Sequence, residues 1–210
     1  MCEIGDILIE VKTTGSFFTN SYIISEDNKC IIIDPGLSYK NAYLYIKERY
    51  EVIAVFITHA HLDHIDGLEY YLDLPIYMSE KTANNLDSME NTLYYMIGRV
   101  PPFNRNNLDI RVVKNGDKIN LLGHEFKVIT TPGHTDDSIC YLMDNKELFS
   151  GDTLFNLSIG RTDFSNSSIN AMNESLAKLM KLDDSINVYP GHEGITTIGY
   201  ERKYNPYINN

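Results

Sequence analysis

Five of the six histidines of this chain fall in three short segments: Thr58-His59-Ala60-His61-Leu62-Asp63-His64, Thr131-Pro132-Gly133-His134-Thr135 and Tyr189-Pro190-Gly191-His192. A fourth segment, Leu148-Phe149-Ser150-Gly151-Asp152, has the same pattern and ends in a carboxylate. Each runs from an apolar stretch through a tight turn to a side chain able to bind a metal. Neutral imidazole and carboxylate are the ligand set of zinc, manganese and non-haem iron, whereas a closed structural site favours thiolates. Alternate residues of an extended chain share a face, so His59 and His61 can grip one ion. Asp63 and His64 can face a second ion if the chain turns there. The sixth histidine, His124, stands alone in Leu122-Gly123-His124-Glu125 and reads as a turn or strand-edge residue.

The elements that must position these ligands can be traced in outline. Val52-Ile53-Ala54-Val55-Phe56-Ile57, a continuous apolar run just before the first histidine segment, predicts a strand buried on both faces. Val11, Tyr22-Ile23-Ile24 and Cys30-Ile31-Ile32-Ile33 fall in further β-prone runs, the last two separated by Glu26-Asp27-Asn28 as turn material. More strands are expected at 110–114, 125–130, 138–143, 147–150 and 187–189. Leu86, Met89, Leu93, Met96 and Ile97 recur at helical spacing before Gly98, and Ile169, Met172, Leu176, Leu179 and Met180 do so behind Ser167-Ser168. Residues 39–49 and 65–73 are shorter helix candidates, and 98–109 reads as a loop. Ligands at strand ends can converge on one edge of a sheet without entering its core.

Composition bounds the possibilities. The 210 residues suit one domain, and 43% hydrophobic with 22% charged residues argues against disorder, coiled coil and collagen. A formal net charge of −11, with Lys and Arg scattered, counts against a nucleic-acid partner. No apolar run approaches the roughly 20 residues that span a bilayer, so no membrane segment is expected. Met1-Cys2-Glu3-Ile4-Gly5-Asp6 lacks the basic start and apolar stretch of a signal peptide. Cys2, Cys30 and Cys140 are too few and dispersed for a disulfide framework, which points to the cytoplasm; Cys30 and Cys140 read as core residues and Cys2 as a terminal thiol. A monomer or small homo-oligomer is expected.

His59-x-His61-x-Asp63-His64, followed by His134, Asp152 and His192, resembles the metallo-β-lactamase superfamily, from Asp34-Pro35-Gly36 to the C-terminus. The resemblance implies an α/β fold, a four-layer αββα sandwich with the metals at one edge of the paired sheets. It implies that His59, His61 and His134 hold a first divalent ion, that Asp63, His64 and His192 hold a second, and that Asp152 bridges them; zinc is expected, with iron and manganese as alternatives. Asp34, at a strand end near that edge, is expected to support the site without being a ligand. An Asp at the bridging position resembles the hydrolases of the superfamily rather than its antibiotic-degrading branch, and His61 departs from the flavodiiron pattern, where a Glu stands. The runs Gly151-Asp152-Thr153-Leu154-Phe155 to Phe164 and Gly191-His192-Glu193-Gly194 to Pro206 are similar to the glyoxalase II-related group and its compact bacterial members. One domain over 1–210 is therefore expected, without the C-terminal helical domain that gives full-length glyoxalase II much of its glutathione-binding surface.

The chemistry implied is hydrolysis of a small-molecule acyl thioester of the S-lactoylglutathione type. Two divalent ions about 3.5–4 Å apart can share a water and lower its pKa towards neutrality, with Asp63 and Asp152 as the catalytic carboxylates and Asp63 orienting the hydroxide. A thiolate leaving group with a pKa of about 8.5 departs with little help from a general acid. Thiol-carrier contacts are expected from the 98–109 loop through Arg99, Phe103 and Arg105. The leading alternative is a persulfide dioxygenase, a related family in which a single iron is held by the equivalents of His59, His134 and Asp152. A nuclease would bring an additional nucleic-acid-gripping domain, and a non-catalytic metal-binding module would favour a closed, thiolate-rich set.

Overall fold

The computed structural model describes residues 7–208, so Cys2 and the first six residues lie outside the described residues. Strands β1 (Leu8–Thr14), β2 (Thr19–Glu26), β3 (Lys29–Ile33), β4 (Glu51–Phe56), β5 (Pro75–Ser79) and β6 (Asp109–Val113) form one sheet in sequential order. Strands β7 (Lys118–Leu121), β8 (His124–Thr130), β9 (Ile139–Met143) and β10 (Glu147–Gly151) belong to a second sheet. The short strands β11 (Leu154–Phe155) and β12 (Ser158–Ile159) pair as a separate ribbon. With β13 (Asn187–Pro190) and β14 (Thr196–Thr197), the second sheet has the order β14-β13-β10-β9-β8-β7.

The side-chain alternation of strands buried on both faces generates the layers. In β2 and β3, Ile24, Ile31 and Ile33 point between the sheets, where they meet Phe126, Val128, Tyr141 and Phe149 of the second sheet. Their neighbours Ile23, Cys30 and Ile32 face outward and pack with α1 (Lys40–Lys47), through Ala42 and Ile46, and with α2 (Leu62–Ile65). A short helix α3 (Glu80–Asn85), capped by Ser79, covers the same face through Ala83. On the far face of the second sheet, Cys140, Leu148 and Val188 pack under Met172, Leu176 and Leu179 of α4 (Ile169–Leu179) and under Ile198 of α5 (Ile198–Tyr204). Three apolar layers between four layers of structure make an αββα sandwich. Cys30 and Cys140 are fully buried within it, as the apolar contexts predicted.

Ser168 caps α4 by accepting from the Ala171 amide, as the sequence suggests. The helix expected over 86–97 does not form. Leu93 sits at φ 63° in the left-handed region, which leaves a single 3-10 turn at Tyr94–Ile97 ended by Gly98 at φ 61°. Ser88 Oγ accepts from the Asn91 amide and Thr92 Oγ1 donates to the Ser88 carbonyl, local bonds that compete with helical pairing. Strands β5 and β7 were not legible from the sequence. No helix among the described residues is long and apolar enough to cross a membrane.

Strand direction places the ligand segments. β8 and β10 each run antiparallel to β9, and β13 runs parallel to β10, so the three end on the same edge of the second sheet. The end of β4 joins that edge through bonds between the sheets: the Ile139 amide donates to the Thr58 carbonyl at 2.9 Å. The Asn20 amide likewise donates to the Gly191 carbonyl at 2.7 Å.

Candidate metal centre

Each of the four ligand segments leaves its strand and turns at once. After β4 the chain runs extended to His61, which has φ −64° and ψ 142° as the N-cap of α2. The helix then begins at Leu62, so His59 and His61 precede the turn while Asp63 and His64 sit in its first residues. His134 follows β8, Asp152 follows β10 and His192 follows β13. Gly191 makes the approach possible: a Cβ there would strike Asp152 Oδ1 and His64 Cε1.

The seven side chains converge. Potential ligand atoms of His59, His61 and His134 lie within 4.8 Å of one another, as do those of Asp63, His64 and His192 and those of His59, His64 and Asp152. The Asp152 carboxylate lies between the first two sets, with Oδ1 3.3 Å from His64 Nε2 and Oδ2 3.4 Å from both His134 Nε2 and His192 Nε2. His192 Nε2 is also 3.4 Å from Asp63 Oδ2. His134 Nε2 and His61 Nδ1 are 2.9 Å apart.

Neighbouring groups aim these rings. The carbonyl of Arg161, which can only accept, lies 2.8 Å from His134 Nδ1 and so fixes the proton there, leaving a lone pair on Nε2. Asp34 Oδ2 accepts from His64 Nδ1 at 2.9 Å, so the proton that His64 must give up to bind a metal is the one on Nε2. The Asp34 carboxylate also accepts from the Thr58 amide at 2.8 Å and from its hydroxyl at 2.7 Å, which gives this residue the supporting role expected of it. Two further residues hold the ligand segment and carried no signal in the sequence. Thr19 donates its hydroxyl to Asp63 Oδ2 at 2.7 Å, and Asp137 Oδ2 accepts the Ala60 amide at 3.0 Å.

The donor set fits divalent metal. Nε2 of His59, His61 and His64 and Oδ1 of Asp152 are buried without a hydrogen-bond partner. His64 Nε2 and Asp152 Oδ1 face each other at 3.3 Å, but the two neutral imidazole nitrogens of His59 and His61 have no such counterpart, and a cation would satisfy them. His59 and His61 are ready for it. Burial, aided by neighbouring imidazoles, holds His59 well below the usual histidine range and His61 down to about 3, so both are neutral at pH 7. His64 and His192 differ. Burial opposes their charge, but the carboxylates of Asp152 and Asp63 outweigh it, raising His64 well above the usual range and His192 to about 10. Asp63 and Asp152 are themselves buried, yet these imidazoles hold both below the ordinary carboxylate range.

That asymmetry predicts proton release. The carboxylates of Asp152 and Asp63 favour the protonated form of both His64 and His192 in the metal-free protein, His192 with a pKa of about 10, and a metal ion must displace those protons. Titrating metal-free protein with zinc in buffers of different ionisation enthalpy should show up to about two protons released per chain, with His59 and His61 contributing none. The His192 share of the release should fall by half at about pH 10 and vanish only above it. Release of no protons at pH 7 would refute this assignment of charge.

The ligand cluster forms the floor of a cavity of about 230 Å³. Its wall includes Phe17, Leu93, Met96, Phe155, Arg161 and Phe164. The expected carrier-binding residues stand elsewhere. Arg99 lies 3.5 Å from Asp66, Phe103 packs on the helix-covered face of the first sheet, and Arg105 lies 3.5 Å from Asp87. None of the three is in the cavity wall. His124 opens β8, at the opposite end of that strand from His134, and meets Asp144 at 2.5 Å.

Comparison with known proteins agrees with this geometry. Hydroxyacylglutathione hydrolase of Francisella tularensis subsp. novicida is 35% identical over 176 residues, a match that covers 82% of this chain and 62% of that enzyme. Among solved structures, the BLEG-1 B3 metallo-beta-lactamase superposes with a TM-score of 0.88 at 30% identity, over 97% of this chain and 100% of that one. TTHA1623 in a di-iron-bound form gives a TM-score of 0.79 at 29% identity, over 94% and 99% of the two chains. The family model described as Metallo-beta-lactamase superfamily matches residues 14–192, which contain every ligand candidate from His59 to His192, and the chain belongs to that superfamily.

Proposed function

We propose that this protein is a metal-dependent hydrolase of acyl thioesters. His59, His61 and His134 would hold one divalent ion, Asp63, His64 and His192 a second, and Asp152 would be shared between them. When bound, a pair of zinc or iron ions supplies Lewis-acid polarisation of the carbonyl and a water acidic enough to attack near neutral pH. The remaining work falls to the chain. Asp63, pinned by the Thr19 hydroxyl, turns its carboxylate to the cavity floor, where it can accept a hydrogen bond from the attacking water and orient it. The apolar wall excludes bulk water and strengthens the electrostatics beneath it. A thiolate of pKa about 8.5 leaves without needing a proton, which suits a floor whose carboxylates are engaged with imidazoles.

The observation that carries the two-ion reading is the Asp152 carboxylate, within 3.3–3.4 Å of imidazoles from both sets. It suits a two-ion hydrolase; a single-iron dioxygenase would use His59, His134 and Asp152 and leave Asp63, His64 and His192 as motif residues that bind no metal. The choice of thioester is supported by the likeness to a hydroxyacylglutathione hydrolase. The likeness to a B3 metallo-beta-lactamase supports β-lactam hydrolysis as the second reading. Free, buried Cys30 and Cys140 agree with action in the reducing cytoplasm.

The test is thiol release from S-D-lactoylglutathione by protein loaded separately with zinc, manganese and iron, beside a chelated control. Metal-dependent release is expected. Inertness of protein holding two ions, combined with cleavage of a chromogenic cephalosporin, would transfer the assignment to β-lactams. Oxygen uptake with glutathione persulfide would transfer it to the dioxygenase.

A further inference from the structure

The composition of the cavity wall says which part of a substrate it can hold. Phe17, Leu93, Met96, Phe155, Ile159 and Phe164 surround the ligand cluster with aromatic and aliphatic surface. Phe164 stands beside the first ligand set: its ring is edge-on to His61 at 5.0 Å and to His134 at 5.5 Å between centroids. Phe155 faces the other set, with its ring 5.8 Å from that of His192. Among the described residues in the wall, Arg161 is the one Lys or Arg side chain. Its guanidinium lies over Phe164 at 4.7 Å and donates along one edge, through Nε and Nη2, to the Asp163 carboxylate at 2.9 and 2.8 Å.

A glutathione moiety carries two carboxylates, and this wall offers them a single cation that already has a carboxylate partner. A short hydroxyacyl group would leave most of the apolar wall uncovered, and its hydroxyl would meet no polar wall residue other than Arg161 and the ligands themselves. The volume points the same way. An apolar cavity of about 150 Å³ accepts a benzene-sized ring, so about 230 Å³ suits an acyl group of roughly six to nine carbons.

We propose that this cavity is an acyl-group site that selects thioesters of apolar straight-chain or aromatic acids over short hydroxyacyl thioesters, with Phe164 as a specificity-determining residue. The proposal rests on the thioester reading for its reaction, while its recognition step stands on the cavity alone. Each methylene that leaves water for the wall should strengthen binding about three- to fourfold until the cavity is full.

Two measurements on the metal-loaded, full-length protein test it. The first is kcat/KM for acetyl, lactoyl, butyryl, hexanoyl and benzoyl thioesters of N-acetylcysteamine, a small uncharged carrier. The second is calorimetric affinity for the matching non-hydrolysable thioethers, S-hexyl against S-(2-hydroxypropyl). Hexanoyl and benzoyl should exceed lactoyl by at least about tenfold, and S-hexyl should bind more tightly by a similar factor. Phe164→Ala should flatten both series. Phe17→Ala, at a side chain that is 42% exposed and so tolerant of truncation, should flatten them in part. Affinity and turnover that do not rise with chain length, or that favour lactoyl, would overturn the acyl site. Tighter S-hexyl binding with no thioester cleaved would uphold the site and overturn the thioester reaction.

Discussion

Asp152→Ala protein should retain at most one ion per chain and lose on the order of 10³-fold or more in kcat/KM. The carboxylate is buried, and its two oxygens approach His64 on one side and His134 and His192 on the other. Among the described residues Asp152 is the carboxylate within ion-pair distance of imidazoles from both sets; Asp63 is within that distance of His64 and His192. Removing one preorganised electrostatic group from an active site costs about 10²–10³-fold, and here the same truncation also uncouples the two ions. Burial lowers the pKa of both His64 and His192, and Asp152 is the largest of the influences that raise them against it. The variant should therefore hold fewer protons when metal-free and release fewer on binding zinc. Metal analysis by plasma emission, thiol-release kinetics and a far-ultraviolet dichroism spectrum check the three parts together. Native-like protein with two ions and near-normal turnover would refute the bridging role.

The side chains that converge at the sheet edge were legible in the sequence as ligand candidates because each follows its strand within a few residues, so one local pattern repeats four times. The same holds for the layers. An apolar run such as Val52 to Ile57 declares a strand covered on both sides, and it takes its place within the first sheet between β3 and β5. What remained hidden depends on contacts distant in sequence. Thr19 reaches Asp63 across 44 positions and Asp137 reaches Ala60 across 77, and neither residue stands in a patterned segment. The cavity wall was hidden for the same reason, since Phe17, Met96, Phe155 and Phe164 come from four separate turns and short elements. Leu93 and Met96 misled in an instructive way. Their spacing suggested a helix face, whereas they are apolar because they line the cavity. Arg99 and Arg105, expected to meet substrate, instead have acidic neighbours in Asp66 and Asp87.

The support beneath the ligands should be as sensitive as the ligands, and Asp34 separates its two tasks. Asp34 sits at φ 52°, a left-handed conformation that Asp and Asn tolerate better than most residues. From there its buried carboxylate takes the amide and hydroxyl of Thr58 and Nδ1 of His64. Asp34→Ala leaves those donors without a partner, and losing one side of a buried, charged network costs about 3–5 kcal/mol. Asp34→Asn keeps the size, the backbone preference and one acceptor. Its oxygen can take the Thr58 amide while its NH2 group donates to the Thr58 hydroxyl, so stability should fall by only about 1–2 kcal/mol. That same NH2 group, however, faces His64 Nδ1 as a donor. To accept that donor His64 must shed its Nδ1 proton and keep the one on Nε2, the atom whose lone pair the second ion would need. Asp34→Asn should thus fold well yet bind the second ion about 10–100-fold more weakly, with the first ion retained on His59, His61 and His134. Urea unfolding of metal-free protein and zinc titration against a competing chelator measure the two effects separately. If Asp34→Asn binds both ions as tightly as the parent, Asp34 acts on the fold alone and the tautomer of His64 is set by something else.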